Sequence, residues 1–112
     1  LTSSKVDERF LQKAIELVEK NLDNSDYSVE AFSDDMCMSR MNLYRKLQII
    51  TGQKPTEFIR SIRLKKAAGL LTHTELTVIE ISEKVGFATP SYFSKCFKDM
   101  FGVLPTQYHS QD

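Results

Sequence analysis

The stretch from Leu43 to Phe58, LYRKLQIITGQKPTEF, returns in outline as FSKCFKDMFGVLPTQY from Phe93 to Tyr108, a shift of 50 positions. Each copy runs apolar, any, basic, any, apolar, and each closes on Gly-x-x-Pro-Thr-x-aromatic. A chain of 112 residues that repeats itself in this way has few folds open to it. It forms one ordinary domain, or two small units of one plan fused around shared contacts. The shift is 49 before a central turn, where Val29 matches Val78 and Ser33 matches Ser82, and 50 after it.

Residue types set the class of structure. With 4 Gly, 3 Pro and few runs of β-branched residues, against abundant Leu, Ile, Lys, Glu and Ala, the chain reads as all-α, with about seven helices. Phe10, Leu11, Ala14, Ile15, Val18 and Leu22 predict an amphipathic helix over about 7–21. The turn formers DNSDYS break it. Ser28 is placed to cap a short helix with Val29, Phe32 and Met36 inward, and Ser39 to cap a second one that Gly52 ends. Pro55 opens a long helix of about 55–71. Its apolar residues form two stripes, Phe58, Ile59 and Ile62 against Leu64, Ala67, Ala68, Leu70 and Leu71, as a connector between two subdomains requires. The second copy follows suit. Thr77–Glu80 is a capping box, Ile81 and Val85 face inward, Gly86 turns, Thr89 caps, Pro90 takes the first helical position, and Gly102 closes. The expected organisation is a tail over 1–6 from a longer chain, a first subdomain over 7–54, a linker helix over 55–72 and a second subdomain over 73–112.

A short helix, a tight turn and a helix of about three turns make the helix-turn-helix plan. The first helix braces the second, and the second lies in a DNA major groove. Ser33 and Ser82 put a small residue at the matching place in each brace. With Leu43, Leu47 and Ile50 inward in one copy and Phe93, Phe97 and Met100 in the other, the outward faces are Met41, Tyr44, Arg45, Gln48 and Ser91, Ser94, Lys95, Lys98. Neither face contains an acid. Arg45 suits guanine O6 and N7, and Met41 a thymine methyl. Ser39, Arg40, Gln48, Thr89 and Lys98 are the candidate contacts to the DNA backbone.

Net charge is zero, yet its layout is uneven. Residues 1–35 carry −5 and residues 73–112 carry −2, whereas residues 36–72 carry +7 from eight basic side chains and Glu57. Local field governs attraction to phosphates. Cys37 and Cys96, with no CxxC neighbour, read as reduced, partly buried thiols, and His73 and His109 have no spacing suited to zinc. There is no Gly-rich phosphate loop, no HExxH and no nucleophile–histidine constellation, so the chain reads as non-enzymatic and needs no cofactor. Asp34 and Asp35 are adjacent helical carboxylates that do not face one site. No apolar run approaches the ~18 residues of a membrane span. The competing reading is a helical protein-interaction module, with Met41, Tyr44 and Tyr92 as anchors and the basic linker meeting an acidic partner.

The segment TVIEISEKVGFATPSYFSKCFKDMFGVLPTQY (77–108), with its GF, YFSKCFK and FG…P elements, resembles the signature of AraC/XylS-type transcription regulators. The first copy and RLKKAAGLL (63–71) fit as well, so the resemblance spans roughly 7–109. The start of the chain is similar to the output domain of one-chain hybrid two-component regulators of gut bacteria. The resemblance implies a cytoplasmic bacterial DNA-binding domain of seven helices whose two recognition helices read successive major-groove segments. It implies base contacts from Met41, Tyr44 and Arg45, and from Pro90, Ser91, Ser94 and Lys95. It also implies transcription activation, RNA polymerase as a partner, and a signal from upstream sensor or receiver domains. Cys37 replaces the turn glycine that the second copy keeps as Gly86, so a looser or differently shaped first turn is expected. The plain Ser/Lys face of the second helix suggests that the first helix discriminates sequence and the second anchors.

Overall fold

Residues 4–108, described by the computed structural model, form six α-helices and one 3-10 turn, with no strand among them. Residues 1–3 of the expected tail, and His109, lie outside the described residues. The helices are α1 (Lys5–Lys20), α2 (Val29–Asp35), α3 (Arg40–Thr51), α4 (Pro55–His73), α5 (Val78–Lys84) and α6 (Pro90–Phe101), followed by the turn Pro105–Gln107. Five helices start behind a hydroxyl that accepts the N–H three residues on. These are Ser4 from Asp7, Ser28 from Ala31, Ser39 from Asn42, Thr77 from Glu80 and Thr89 from Tyr92, at 3.0–3.1 Å. Each such cap is worth about 1 kcal/mol. Because Ser4 caps, α1 begins at Lys5, ahead of the expected start at about residue 7.

The chain divides into two compact units, with the division inside α4. The first takes the chain up to Asn21 together with Tyr27–Ile62, and the second takes Leu22–Asp26 together with the chain from Arg63 onward. The two stripes of α4 separate as their spacing demands: Phe58 and Ile59 are buried with Ala14, Val18, Phe32, Leu43 and Leu47, whereas Leu64, Ala67 and Ala68 are buried with Ile81, Val85, Phe93 and Phe97. In the first core the Phe32 and Phe58 rings stack with centroids 6.0 Å apart. The second core carries a run of aromatic contacts through Phe87, Phe93, Phe97, Phe101 and Tyr108. Burying each phenyl group fully contributes about 1.5–3 kcal/mol.

Three inward assignments need correction. Met100 is exposed, because Cys96 and Phe101 turn inward on α6 and the Phe101 ring packs on Phe97 at 4.6 Å. Leu22 falls beyond the end of α1 and packs against the second core. Cys37 is an exposed thiol, while Cys96 is buried as expected.

The two turns have the same shape, contrary to the expected difference. Cys37 takes φ 60° and Gly86 takes φ 83°. In each, two backbone bonds close the turn: Cys37 to Asp34 and Met38 to Ser33 in one, Gly86 to Glu83 and Phe87 to Ser82 in the other. The brace serines are both buried and donate to the carbonyl three residues back, Glu30 and Ile79. What differs is the space outside the turn. A Cβ on Gly86 would run into the Arg63 guanidinium and the Leu22 carbonyl. Arg63 is buried and donates to the carbonyls of Val85 (2.8 Å), Asn24 (2.9 Å) and Leu22. Burial pulls its pKa below the usual guanidinium value, and the charge of Asp23 opposes that shift. Arg63 therefore belongs to the second unit's interior and is not a surface contact group, a correction to its place in the basic stretch.

Candidate nucleic-acid interface

The outward face of α3 carries Met41, Tyr44, Arg45 and Gln48, all exposed, with Met41 at 63% and Tyr44 at 43%. Leu43 and Leu47, fully buried on the opposite side, fix which face that is. The Arg45 guanidinium lies 3.3 Å from the Met41 sulfur one turn earlier, which directs it along the helix toward the N-terminus. The Gln48 amide donates to the Gly52 carbonyl at 3.3 Å, so it serves the end of its own helix. On α6, Phe93, Cys96 and Phe97 are buried and Pro90, Ser91, Lys95 and Lys98 are exposed, while Ser94 is half-buried. Lys95 pairs with Asp99 one turn on, at 3.5 Å. Ser39 and Thr89 both use their hydroxyls as caps.

The helix starts carry a pattern that periodicity does not show. α1, α2, α4 and α5 each hold a carboxylate in the first turn, Asp7 and Glu8, Glu30, Glu57 and Glu80 respectively. α3 and α6 hold none. A helix N-terminus carries partial positive charge from its unsatisfied N–H groups, and a carboxylate there normally complements it. Glu80 shows the usual case: its hydrogen bonds to Thr77 hold the carboxyl below the ordinary carboxylate value. α3 and α6 leave that positive end without an acid of their own.

Structure also adds residues to the α3 face. Lys54 and Thr56, at the start of α4, line a concavity together with Met41 and Tyr44. Arg45 lies instead along a second concavity with Met38, Lys46 and Ile49, and Ile49 is 83% exposed. Lys46 sits 5.1 Å from the centre of the Phe10 ring and is half-buried. Spacing within one helix cannot link residues of neighbouring helices, so Lys54 and Thr56 escaped it; the one available signal was that Lys54 matches Leu104 in the other copy. Among the described residues no group of three or more His, Cys, Asp or Glu side chains is placed to hold a metal, and no helix is long and apolar enough to cross a membrane.

Two braced helices with no acid in the first turn and with largely polar outward faces define a helix-turn-helix protein. The family model described as "Helix-turn-helix domain" matches residues 32–111. Histidine kinase P4 of Formosa agariphila is 43% identical over 111 residues, which are 99% of this chain and 8% of that protein. The chain spans less than a third of the length of the curated relatives it matches. The C-terminal domain of AraT, a response regulator from Geobacillus stearothermophilus, superposes with a TM-score of 0.80 at 35% identity, covering 88% of this chain and 82% of that one. The DNA-binding domain of AdpA, solved in complex with a target DNA, superposes with a TM-score of 0.80 over 88% of this chain and 87% of that one; at 24% identity this is a likeness of fold. The chain belongs to the AraC-type helix-turn-helix family.

Proposed function

We propose that this domain binds double-stranded DNA with sequence preference and so regulates transcription, α3 and α6 each laying an outward face into a major-groove segment. The carrying observation is the bare first turn of α3 and of α6 in a chain that puts a carboxylate at the start of every other α-helix described. Two positive helix ends without internal counterions suit backbone phosphates. The matched AdpA domain was solved on a target DNA, which supports the same reading.

Within it, Met41, Tyr44 and Arg45 contact base edges in the first segment, and Pro90, Ser91, Ser94 and Lys95 do so in the second. Ser39, Arg40, Gln48, Thr89 and Lys98 contact the backbone. Arg45 carries the most discrimination, about 1–3 kcal/mol for a bidentate pair with guanine. The domain is non-catalytic, works in the cytoplasm where bacterial DNA lies, and passes its effect to RNA polymerase. Its signal comes from kinase or receiver domains, since relatives of this chain are named a histidine kinase and a response regulator.

Selection of bound duplexes from a random library at low salt tests the reading. An enriched site with two short blocks is the expected outcome. Binding without enrichment, or binding insensitive to salt, overturns it, because counterion release must accompany phosphate contacts.

A further inference from the structure

A cleft of about 590 Å³ lies beside the reading helix of the first unit. Arg40, Met41 and Tyr44 of α3 line it, with Lys54, Pro55 and Thr56 where α4 begins, and Val29 at the start of α2 completes the lining. Its chemistry is amphipathic and cationic: two positive side chains, the hydroxyls of Tyr44 and Thr56, apolar surface, and no carboxylate. The charged groups of Arg40 and Lys54 have no partner among the described residues. The neighbouring acid, Glu57, accepts the backbone N–H of Lys54 at 2.9 Å and is spent on the helix start.

A DNA strand has the same two-sided character, apolar deoxyribose alternating with anionic phosphate. We propose that this cleft seats one sugar–phosphate strand of the duplex, with Lys54 and Thr56 as phosphate contacts beside Arg40. This rests on the DNA-binding reading above and extends it to residues outside the helix-turn-helix. Apolar surface from the half-buried Val29 faces the sugars, while the exposed Lys54 neutralises a phosphate. The second copy lacks the parts: its matching positions are Pro90 for Arg40, Ser94 for Tyr44 and Leu104 for Lys54. The first copy therefore grips the strand as well as reading the groove, and anchoring is not left to the second copy alone.

The test is a salt titration of binding by the 112-residue chain, using a labelled random-sequence duplex of about two helical turns, ~21 base pairs, and the enriched site. Wild type, Lys54→Ala, Lys54→Arg and Thr56→Val are compared, with unfolding midpoints as the check that these exposed positions leave the fold intact. Losing one phosphate contact lowers the slope of log K against log salt by about 0.9 and weakens binding about 8-fold at 0.1 M salt. Lys54→Ala is expected to show both changes, equally on the two duplexes, Lys54→Arg to retain wild-type behaviour, and Thr56→Val to weaken both duplexes alike. An unchanged slope in Lys54→Ala beside a steep wild-type slope overturns the strand seat and leaves DNA binding standing. A loss confined to the enriched site makes Lys54 a base reader and overturns the phosphate assignment. Wild-type binding without salt dependence removes both proposals.

Discussion

Gly86→Ala and Cys37→Gly act at the same point of the two turns and are expected to act in opposite directions. At both positions φ is positive, 83° and 60°, which costs a residue with a Cβ about 1–2 kcal/mol. For Cys37→Gly that cost disappears, offset by about 0.4–1 kcal/mol from the freer unfolded chain. The net gain is about 0.5–1 kcal/mol. For Gly86→Ala the same backbone term is added, and the methyl group also displaces the Arg63 guanidinium from its carbonyls. A buried charge stripped of its partners costs about 3–5 kcal/mol. The sum, about 3.5–6 kcal/mol once the same unfolded-chain offset is applied, compares with a total stability on the order of 6–17 kcal/mol for a chain of this length. Urea unfolding followed by far-UV circular dichroism measures both. The decisive arm is Gly86→Ala in an Arg63→Met background, where the guanidinium clash and the stranded charge are gone and the approach to the Leu22 carbonyl remains, so the alanine should cost about 3–5 kcal/mol less than in the wild type. If Gly86→Ala costs the same in both backgrounds, the glycine is not making room for Arg63 and the reasoning fails.

Tyr27→Phe removes the hydrogen bond from the Tyr27 hydroxyl to Asp35, 2.9 Å long, at a cost of about 1 kcal/mol at neutral pH. Burial first, then the hydrogen bond and charge of Asp35, raise the Tyr27 pKa above its ordinary value of 10.0. Stability linked to a raised phenol is complete below the ordinary value and is lost as pH rises toward the folded one. Above pH 10 the wild type should therefore lose more stability than Tyr27→Phe, and parallel pH profiles would contradict this. Asp99→Asn frees Lys95 from its partner one turn on. DNA affinity should rise and the salt slope steepen by up to about 0.9, whereas unchanged binding would mean that Lys95 makes no phosphate or base contact. Arg45→Ala should cost about 1–3 kcal/mol on the enriched site and little on random duplex. Equal losses on both would reduce Arg45 to a backbone contact.

Elements governed by burial were legible in the residues alone. The two stripes of α4 were visible because apolar groups must mark both cores, and four of the helix starts, behind Ser28, Ser39, Thr77 and Thr89, were visible because a cap needs a hydroxyl at one fixed position; the start behind Ser4 was not. Met100 misled because helical spacing does not say which of several apolar residues in a last turn finds a neighbour; here Phe101 does. Arg63 misled for a related reason. A basic residue in a basic stretch looks like surface until the carbonyls of Leu22, Asn24 and Val85 are brought around it. The repeat located the outward faces of α3 and α6, but the cleft beside α3 draws on the starts of α2 and α4 as well, and no single periodicity spans three elements.

The second unit is discontinuous along the chain, and this bears on how the protein is made. Leu22–Asp26 leaves the ribosome early, 41 residues ahead of Arg63, which is the distance in sequence between Leu22 and the side chain that binds it. At about 5–20 residues per second that interval lasts on the order of 2–8 s. The Val85 carbonyl follows 22 residues after Arg63. Until then the guanidinium stays in water, and a nascent chain that stops short of Gly86 holds a loop whose anchor has no finished socket. The seating of Arg63 thus waits for Val85, and a fragment cut at the middle of α4 would lack either the loop or the arginine that holds it.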